Sequence, residues 1–181
     1  IQWFGMDFRD ENVGLVGGRV FSTQPQVVGV FKTVDGGRSF TQVHDKFGFP
    51  MWLSNNEAIA VGVVSDPFTQ FSFVNTFRSH DAGDTWSQTG SYLLPEQDSF
   101  FRVVHVSGDV LCGVSAIGTI WRTENGGLSW IKVNEGLGVP FIANVWAAIT
   151  FLDAQHGWSV NSSGVIVSTD VDFSFNVNGN R

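Results

Sequence analysis

The sequence has a single cysteine, Cys112, in 181 residues. That excludes an intrachain disulfide framework and any metal site built from several thiolates. Tyrosine is as scarce, Tyr92 being the only one. Basic residues are few: ten Lys and Arg stand against seventeen Asp and Glu, a formal charge of -7. An acidic surface repels a phosphate backbone, so nucleic acid is excluded as the expected partner. No apolar run reaches the roughly 20 residues of a membrane-spanning helix; the longest, 141–152, carries Asn144. No charged-then-apolar leader precedes the first strand, and the chain opens on Ile1, as a processed chain or a piece of a longer one would.

What is abundant is glycine (21 residues) and large apolar aromatics (17 Phe, 7 Trp). With 43% hydrophobic and 15% charged residues, a core is affordable and disorder is not expected. Glycine and aromatics, with little Lys or Glu, suit short strands and tight turns better than helices.

An internal repeat organises the chain. Thr33-Val34-Asp35-Gly36-Gly37-Arg38-Ser39-Phe40 recurs as Ser79-His80-Asp81-Ala82-Gly83-Asp84-Thr85-Trp86. It recurs again as Thr123-Glu124-Asn125-Gly126-Gly127-Leu128-Ser129-Trp130, and as a worn fourth copy, Ser168-Thr169-Asp170-Val171-Asp172-Phe173-Ser174-Phe175. The steps between copies are 46, 44 and 45 residues. The pattern is hydroxyl, any, Asp or Asn, any, Gly, any, hydroxyl, aromatic. Each type has a reason. Asp or Asn at a hairpin tip accepts hydrogen bonds from backbone N–H groups ahead of it. Gly supplies positive φ at low steric cost. The closing aromatic starts the return strand and packs between layers. The fourth copy has Asp172 where Gly is expected, which predicts a distorted turn.

A second signature, Phe-x-Asp-x-x-x-Gly-apolar, runs from Phe8 and again from Phe151, with a Val close behind in each, at Val16 and Val160. It reads as strand, Asp turn, strand; repeats two and three keep only its second strand, at 58–62 and 110–113. The first repeat gives strands at Trp3–Phe8, Gly14–Gly17, Val30–Thr33 and Phe40–Val43. The fourth gives Asn144–Phe151, Gly157–Val160, Val165–Ser168 and Phe175–Val177. Longer loops are expected at Arg19–Val28 and Ser65–Val74. Four strands per forty-odd residues is the arithmetic of an all-β propeller with four-stranded antiparallel blades. The expected blades are 1–45, 46–91, 92–136 and 137–181 of one domain. A complete four-bladed ring and four blades of a larger, for example seven-bladed, propeller both fit.

The octapeptide resembles the Asp-box, or bacterial neuraminidase (BNR) repeat. With the second signature and Gly118-Thr119-Ile120-Trp121-Arg122-Thr123, the chain is most similar to propellers of the photosystem II stability/assembly factor type. The resemblance covers essentially the whole chain. It implies a non-enzymatic scaffold, without cofactor or metal, that docks a protein partner or a membrane complex in an extracytoplasmic setting such as the thylakoid lumen, the periplasm or the cell exterior. It also implies that the box residues are structural and lie away from the axis. The alternative implied by the box is a glycan-binding or sialidase-like propeller.

The residues favour the scaffold. Sialidase chemistry needs a Tyr nucleophile, and Tyr92 reads as a linker residue after the second box. The four histidines show no metal-ligand spacing, and no Gly-x-Ser-x-Gly elbow exists. Cys112 falls in an apolar strand, where a buried inert thiol is expected. Lys32, Arg78 and Arg122 each precede a box hydroxyl, so they are candidates for a basic partner-binding stripe across adjacent blades.

Overall fold

A computed structural model describes residues 2–22, 25–65, 71–94, 100–115, 119–133, 148–153, 155–160, 166–169 and 175–177. Among them are sixteen strands and no helix. The first sheet comprises β1 (Gln2–Phe8), β2 (Gly14–Val20), β3 (Val27–Thr33) and β4 (Thr41–His44). The second comprises β5 (Phe49–Trp52), β6 (Ala58–Ser65), β7 (Ser72–Ser79) and β8 (Ser87–Leu93). The third holds β9 (Phe100–Ser107), β10 (Val110–Ser115), β11 (Ile120–Thr123) and β12 (Ile131–Lys132). The fourth holds β13 (Ala148–Phe151), β14 (Gly157–Val160), β15 (Ile166–Thr169) and β16 (Phe175–Val177). Every sheet is an antiparallel meander in chain order. The first strands, β1, β5, β9 and β13, come together around one cavity. The architecture is the all-β propeller expected from the repeat.

The strands read as they do because both faces of a blade are covered. In β6, Ala58 and Ala60 face the first sheet, where they cluster with Leu15, Val30, Trp52 and Phe77. Their neighbours Ile59 and Val61 face the third sheet and cluster with Val74, Leu111, Trp121 and Trp130. All four β6 residues are fully buried, so alternation of polarity is lost and the strand is a continuous apolar run. Cys112, Val114 and Ile120 then meet Ile149 of the fourth sheet.

The turn between the first two strands is built on a side-chain acceptor. Asp10 Oδ1 accepts the N–H of Asn12 and of Val13, each at 2.9 Å. Asp153 Oδ1 does the same for Gln155 and His156 at 2.8 and 2.9 Å. In the second repeat Ser54 Oγ takes the place of the carboxylate, accepting from Glu57 N at 3.1 Å. In the third, Gly108 at φ 51° makes the turn with no acceptor side chain among the described bonds. Repeats two and three therefore keep both strands of the second signature while losing its Phe, Asp and Gly residues.

Four expectations need correction. Strands β2, β3 and β7 run two or three residues into the segments expected as loops at Arg19–Val28 and Ser65–Val74, and β6 reaches Ser65, because β-pairing continues through Val20↔Val27 and Ser65↔Ser72. Phe40, Trp86 and Trp130 sit one residue before the return strand, not in it; the ring must drop off the sheet to reach its neighbours. Tyr92 lies within β8, paired with Val74, rather than in a linker. In the fourth sheet Ser168 pairs with Trp158, whereas Thr33, Ser79 and Thr123 pair with Gly14, Ala58 and Leu111. Since Gly157 faces Phe151 as Gly14 faces Phe8, Ser168 stands one residue out of register with the other box hydroxyls. The turn from Asp170 to Ser174 lies outside the described residues, as does its expected distortion.

Candidate functional site

Three octapeptide turns share one geometry. Thr33 Oγ1 accepts the N–H of Gly37 at 2.9 Å and donates to Asp35 Oδ1 at 2.8 Å. Asp35 then accepts from Ser39 N at 2.9 Å and Ser39 Oγ at 2.6 Å. The second copy repeats this with Ser79, Gly83, Asp81 and Thr85. The third does so with Thr123, Gly127, Asn125 and Ser129, the amide Nδ2 donating to Ser129 Oγ at 2.9 Å. The acceptor thus reaches four residues ahead. Gly37, Gly83 and Gly127 take φ of 85°, 83° and 88°. The residue before each is also left-handed, at Gly36 (72°), Ala82 (58°) and Gly126 (64°). Its N–H donates to a carbonyl in the β1–β2-type turn: Asn12, Asn56 and Asp109, at 2.8–2.9 Å. The sequence pattern left that fourth position open; the tether between the two turns is what demands it.

These carboxylates are already engaged. The hydroxyl and N–H of Ser39 hold the Asp35 carboxyl down at about 2, and those of Thr85 hold Asp81 well below the usual carboxylate range. A carboxylate pinned by three donors is a poor general acid at neutral pH. Among the described residues no group of three or more His, Cys, Asp or Glu is placed to hold a metal ion. Burial pushes the Cys112 thiol up to about 12, which leaves it unreactive.

The basic residues do not form an exposed stripe. Lys32 Nζ reaches Asp84 Oδ1 in the next blade at 2.6 Å. Arg78 pairs with Asp109, again one blade on. Arg122 folds back on its own turn, to Glu124 Oε1 at 3.1 and 3.2 Å. Their side chains are only 11%, 20% and 8% exposed. The acceptors in the following blade, Asp84 and Asp109, carry no signal in a single repeat; they emerge only when blades are laid side by side.

The tryptophans are mostly structural. Trp52, Trp121 and Trp130 are buried, and Trp86 packs beside Phe77 with its Nε1 donating to Gly83 O at 3.1 Å. A sugar-stacking platform needs an open indole face, and these four do not offer one.

The concave feature is at the axis. A cavity of about 320 Å³ is lined by the first strands of all four sheets. Phe4, Phe49 and Met51 supply apolar wall, while Asp7, Arg102 and Thr150 supply polar groups. Asp7 Oδ2 is held in place by the N–H of Trp52 at 2.7 Å, and Arg102 is exposed. Sequence reasoning missed this site, because its residues come from four strands about 45 positions apart and share no motif.

No protein-family model matches the chain, and no curated protein does. Solved structures do. YCF48 from Cyanidioschyzon merolae is similar with a TM-score of 0.62 at 18% identity, over 99% of this chain and 56% of that one. A structure titled YCF48 bound to D1 peptide gives 0.52 at 18% identity, over 98% and 67%. The chain therefore spans little more than half the length of the first of these. No helix among the described residues is long and apolar enough to cross a membrane. At this identity the likeness establishes the fold: this chain is built as a β-propeller of the kind seen in YCF48.

Proposed function

We propose that this chain is a non-enzymatic interaction scaffold that holds a segment of a partner protein at the mouth of the axial cavity. The observation that carries the reading is the cavity itself: the first strands of four sheets line it with apolar wall, and a few polar groups are set among them. Such a lining buries side chains of an extended segment while Asp7, Arg102 and Thr150 orient its peptide groups. YCF48 is a photosystem II assembly factor, and one of its structures carries a D1 peptide. That likeness supports a protein partner belonging to a membrane complex. On the same reading residues 1–181 form one domain, with blades at about 1–45, 46–91, 92–136 and 137–181. The box residues Thr33, Asp35, Gly37, Phe40 and their counterparts are then structural Asp-box turns. The ion pairs of the partly buried Lys32 and Arg78 side chains with Asp84 and Asp109 of the following blades support inter-blade fastening better than docking.

The test is titration of a fluorescently labelled D1 peptide against the chain, followed by anisotropy. Saturable binding that weakens at least about tenfold in Arg102→Ala, with unchanged melting, supports the reading. Equal binding by that variant moves the site elsewhere. Absence of binding at high micromolar protein, together with capture on a glycan array or turnover of a sialoside, would replace the scaffold with the carbohydrate reading.

A further inference from the structure

The strands that line the axial cavity follow one template, so corresponding positions can be compared across blades. Phe8, Trp52, His105 and Phe151 each stand opposite the residue that opens the second strand: Gly14, Ala58, Leu111 and Gly157. The residue before each is Asp7, Met51, Val104 or Thr150, and all four line the cavity.

Met51 and Val104 show the ordinary use of the position, which is to pack on the next blade. Met51 is buried in a cluster with Phe100 and Val103, and Val104 packs on the cluster that contains Ile149. Asp7 is directed the same way, toward the second blade. Its Oδ2 accepts the N–H of Trp52 at 2.7 Å, and its carbonyl accepts Trp52 Nε1 at 3.2 Å. The first blade alone therefore sets a carboxylate in a row that is otherwise apolar or hydroxyl.

That carboxylate is half satisfied. Oδ2 is taken by Trp52, and Oδ1 has no hydrogen-bond or ion-pair partner among the described residues. Arg9, two residues on, is committed elsewhere: it bonds Asp10 and the carbonyl of Asn55 and lies over the Trp52 ring. The other ionisable groups of the lining are His105 and Arg102, both on the third blade. His105 Nε2 is turned to Gly108 O at 3.0 Å. Asp7 is partly buried, and Phe4, Phe49 and Met51 are its apolar neighbours in the lining. A segment seated there strips water from Oδ1. That costs free energy unless the segment brings a donor, and a charged donor gives the stronger bond.

We propose that Asp7 is the specificity-determining residue of the axial site, and that the partner segment meets it with a basic side chain, Lys or Arg. The bond from Trp52 holds the carboxylate in place beforehand, so little side-chain freedom is lost when the base arrives. Arg102 repels the same base, which keeps it on the side of the first and second blades and so sets the direction of the bound segment. An acidic or purely apolar residue at that point of the segment leaves Oδ1 opposed or dry.

The proposal rests on the reading of the cavity as the docking site, and its test separates the two. The probe is the labelled D1 peptide, with each of its positions replaced in turn by lysine and by glutamine. Each peptide is titrated by anisotropy against the wild type and against Asp7→Asn. Asparagine keeps an acceptor for the Trp52 N–H, so the variant should fold, and melting checks this. At one position lysine should bind at least about tenfold tighter than glutamine, the gain of one charge-assisted bond. In Asp7→Asn that gap should close. In the wild type it should also narrow as salt rises from about 50 to about 500 mM, a readout that needs no variant. Equal binding of the lysine and glutamine peptides at every position overturns the proposal, and so does a lysine preference that survives Asp7→Asn. In both of those cases the parent peptide still binds, so the scaffold reading stands. A parent peptide that does not bind the wild type fails the scaffold reading, and this inference with it.

Discussion

Three glycines at the same position of the octapeptide should respond differently to alanine. Gly37, Gly83 and Gly127 have nearly the same left-handed backbone, so each Ala variant loses about 1–2 kcal/mol from φ alone. What differs is the neighbouring blade. A Cβ on Gly37 would sit 3.7 Å from the Phe40 ring of its own sheet, an ordinary contact. On Gly83 it would stand 3.0 Å from Leu15 Cδ2 of the first blade, a flexible side-chain end that can give. On Gly127 it would overlap the hydroxyl of Thr76, which is fully buried and bonded to Gly127 O. Displacing a packed group of that kind costs a further ~1–3 kcal/mol. The expected order of loss is therefore Gly37→Ala, then Gly83→Ala, then Gly127→Ala. At about 2–4 °C per kcal/mol for a chain of this size, Gly37→Ala lowers Tm by roughly 2–8 °C and Gly127→Ala by several degrees more. Differential scanning fluorimetry on dilute protein measures it, with urea titration confirming an unchanged m value. Equal losses at the three sites would refute the argument that blades meet at these turns. A larger loss at Gly37 than at Gly127 would refute it more strongly.

Other predictions follow from the same geometry. The depressed carboxyls of Asp35 and Asp81 stabilise the fold above the unfolded value near 4, and that contribution is lost as pH falls from about 4 toward 2. Since Asn125 makes the same turn without titrating, the double variant Asp35→Asn/Asp81→Asn should stay folded at neutral pH and unfold at lower pH than the parent in an acid titration followed by tryptophan fluorescence. Lys32→Ala should cost ~0.2–1 kcal/mol at low salt and less at high salt, because its partner Asp84 is 63% exposed; loss of peptide binding with no change in stability would instead return Lys32 to a docking role. Cys112 should resist a thiol reagent such as DTNB in native buffer and react fully in denaturant, so rapid native labelling would contradict its place between the third and fourth blades.

Much of this could be read from residue types alone. The box pattern marked the hairpins, and the hydroxyl, Asp or Asn and Gly positions all carry bonds or φ values that only those residues supply easily. Local chemistry of this sort is legible because the interacting groups lie within four residues of one another. Strand ends were less legible, since pairing through Val20↔Val27 and Ser65↔Ser72 depends on what the partner strand offers. Lys32 and Arg78 looked like an external stripe because a strand shows only which residues share a face. Their carboxylate partners lie 52 and 31 positions away.

By itself, then, the sequence determined the repeat, its pitch of about 45 residues, the four-stranded unit and the turn that closes it. Those are short-range matters, settled by backbone conformation and by donors and acceptors close along the chain. The tertiary structure decided which aromatics are buried and which are bare, where cations find their partners, and that four distant strands line a cavity. Phe40 and Trp130 occupy the same place in the same motif, yet one is 38% and the other 2% exposed. The difference is a neighbouring blade, and no residue type in the repeat announces whether one is there.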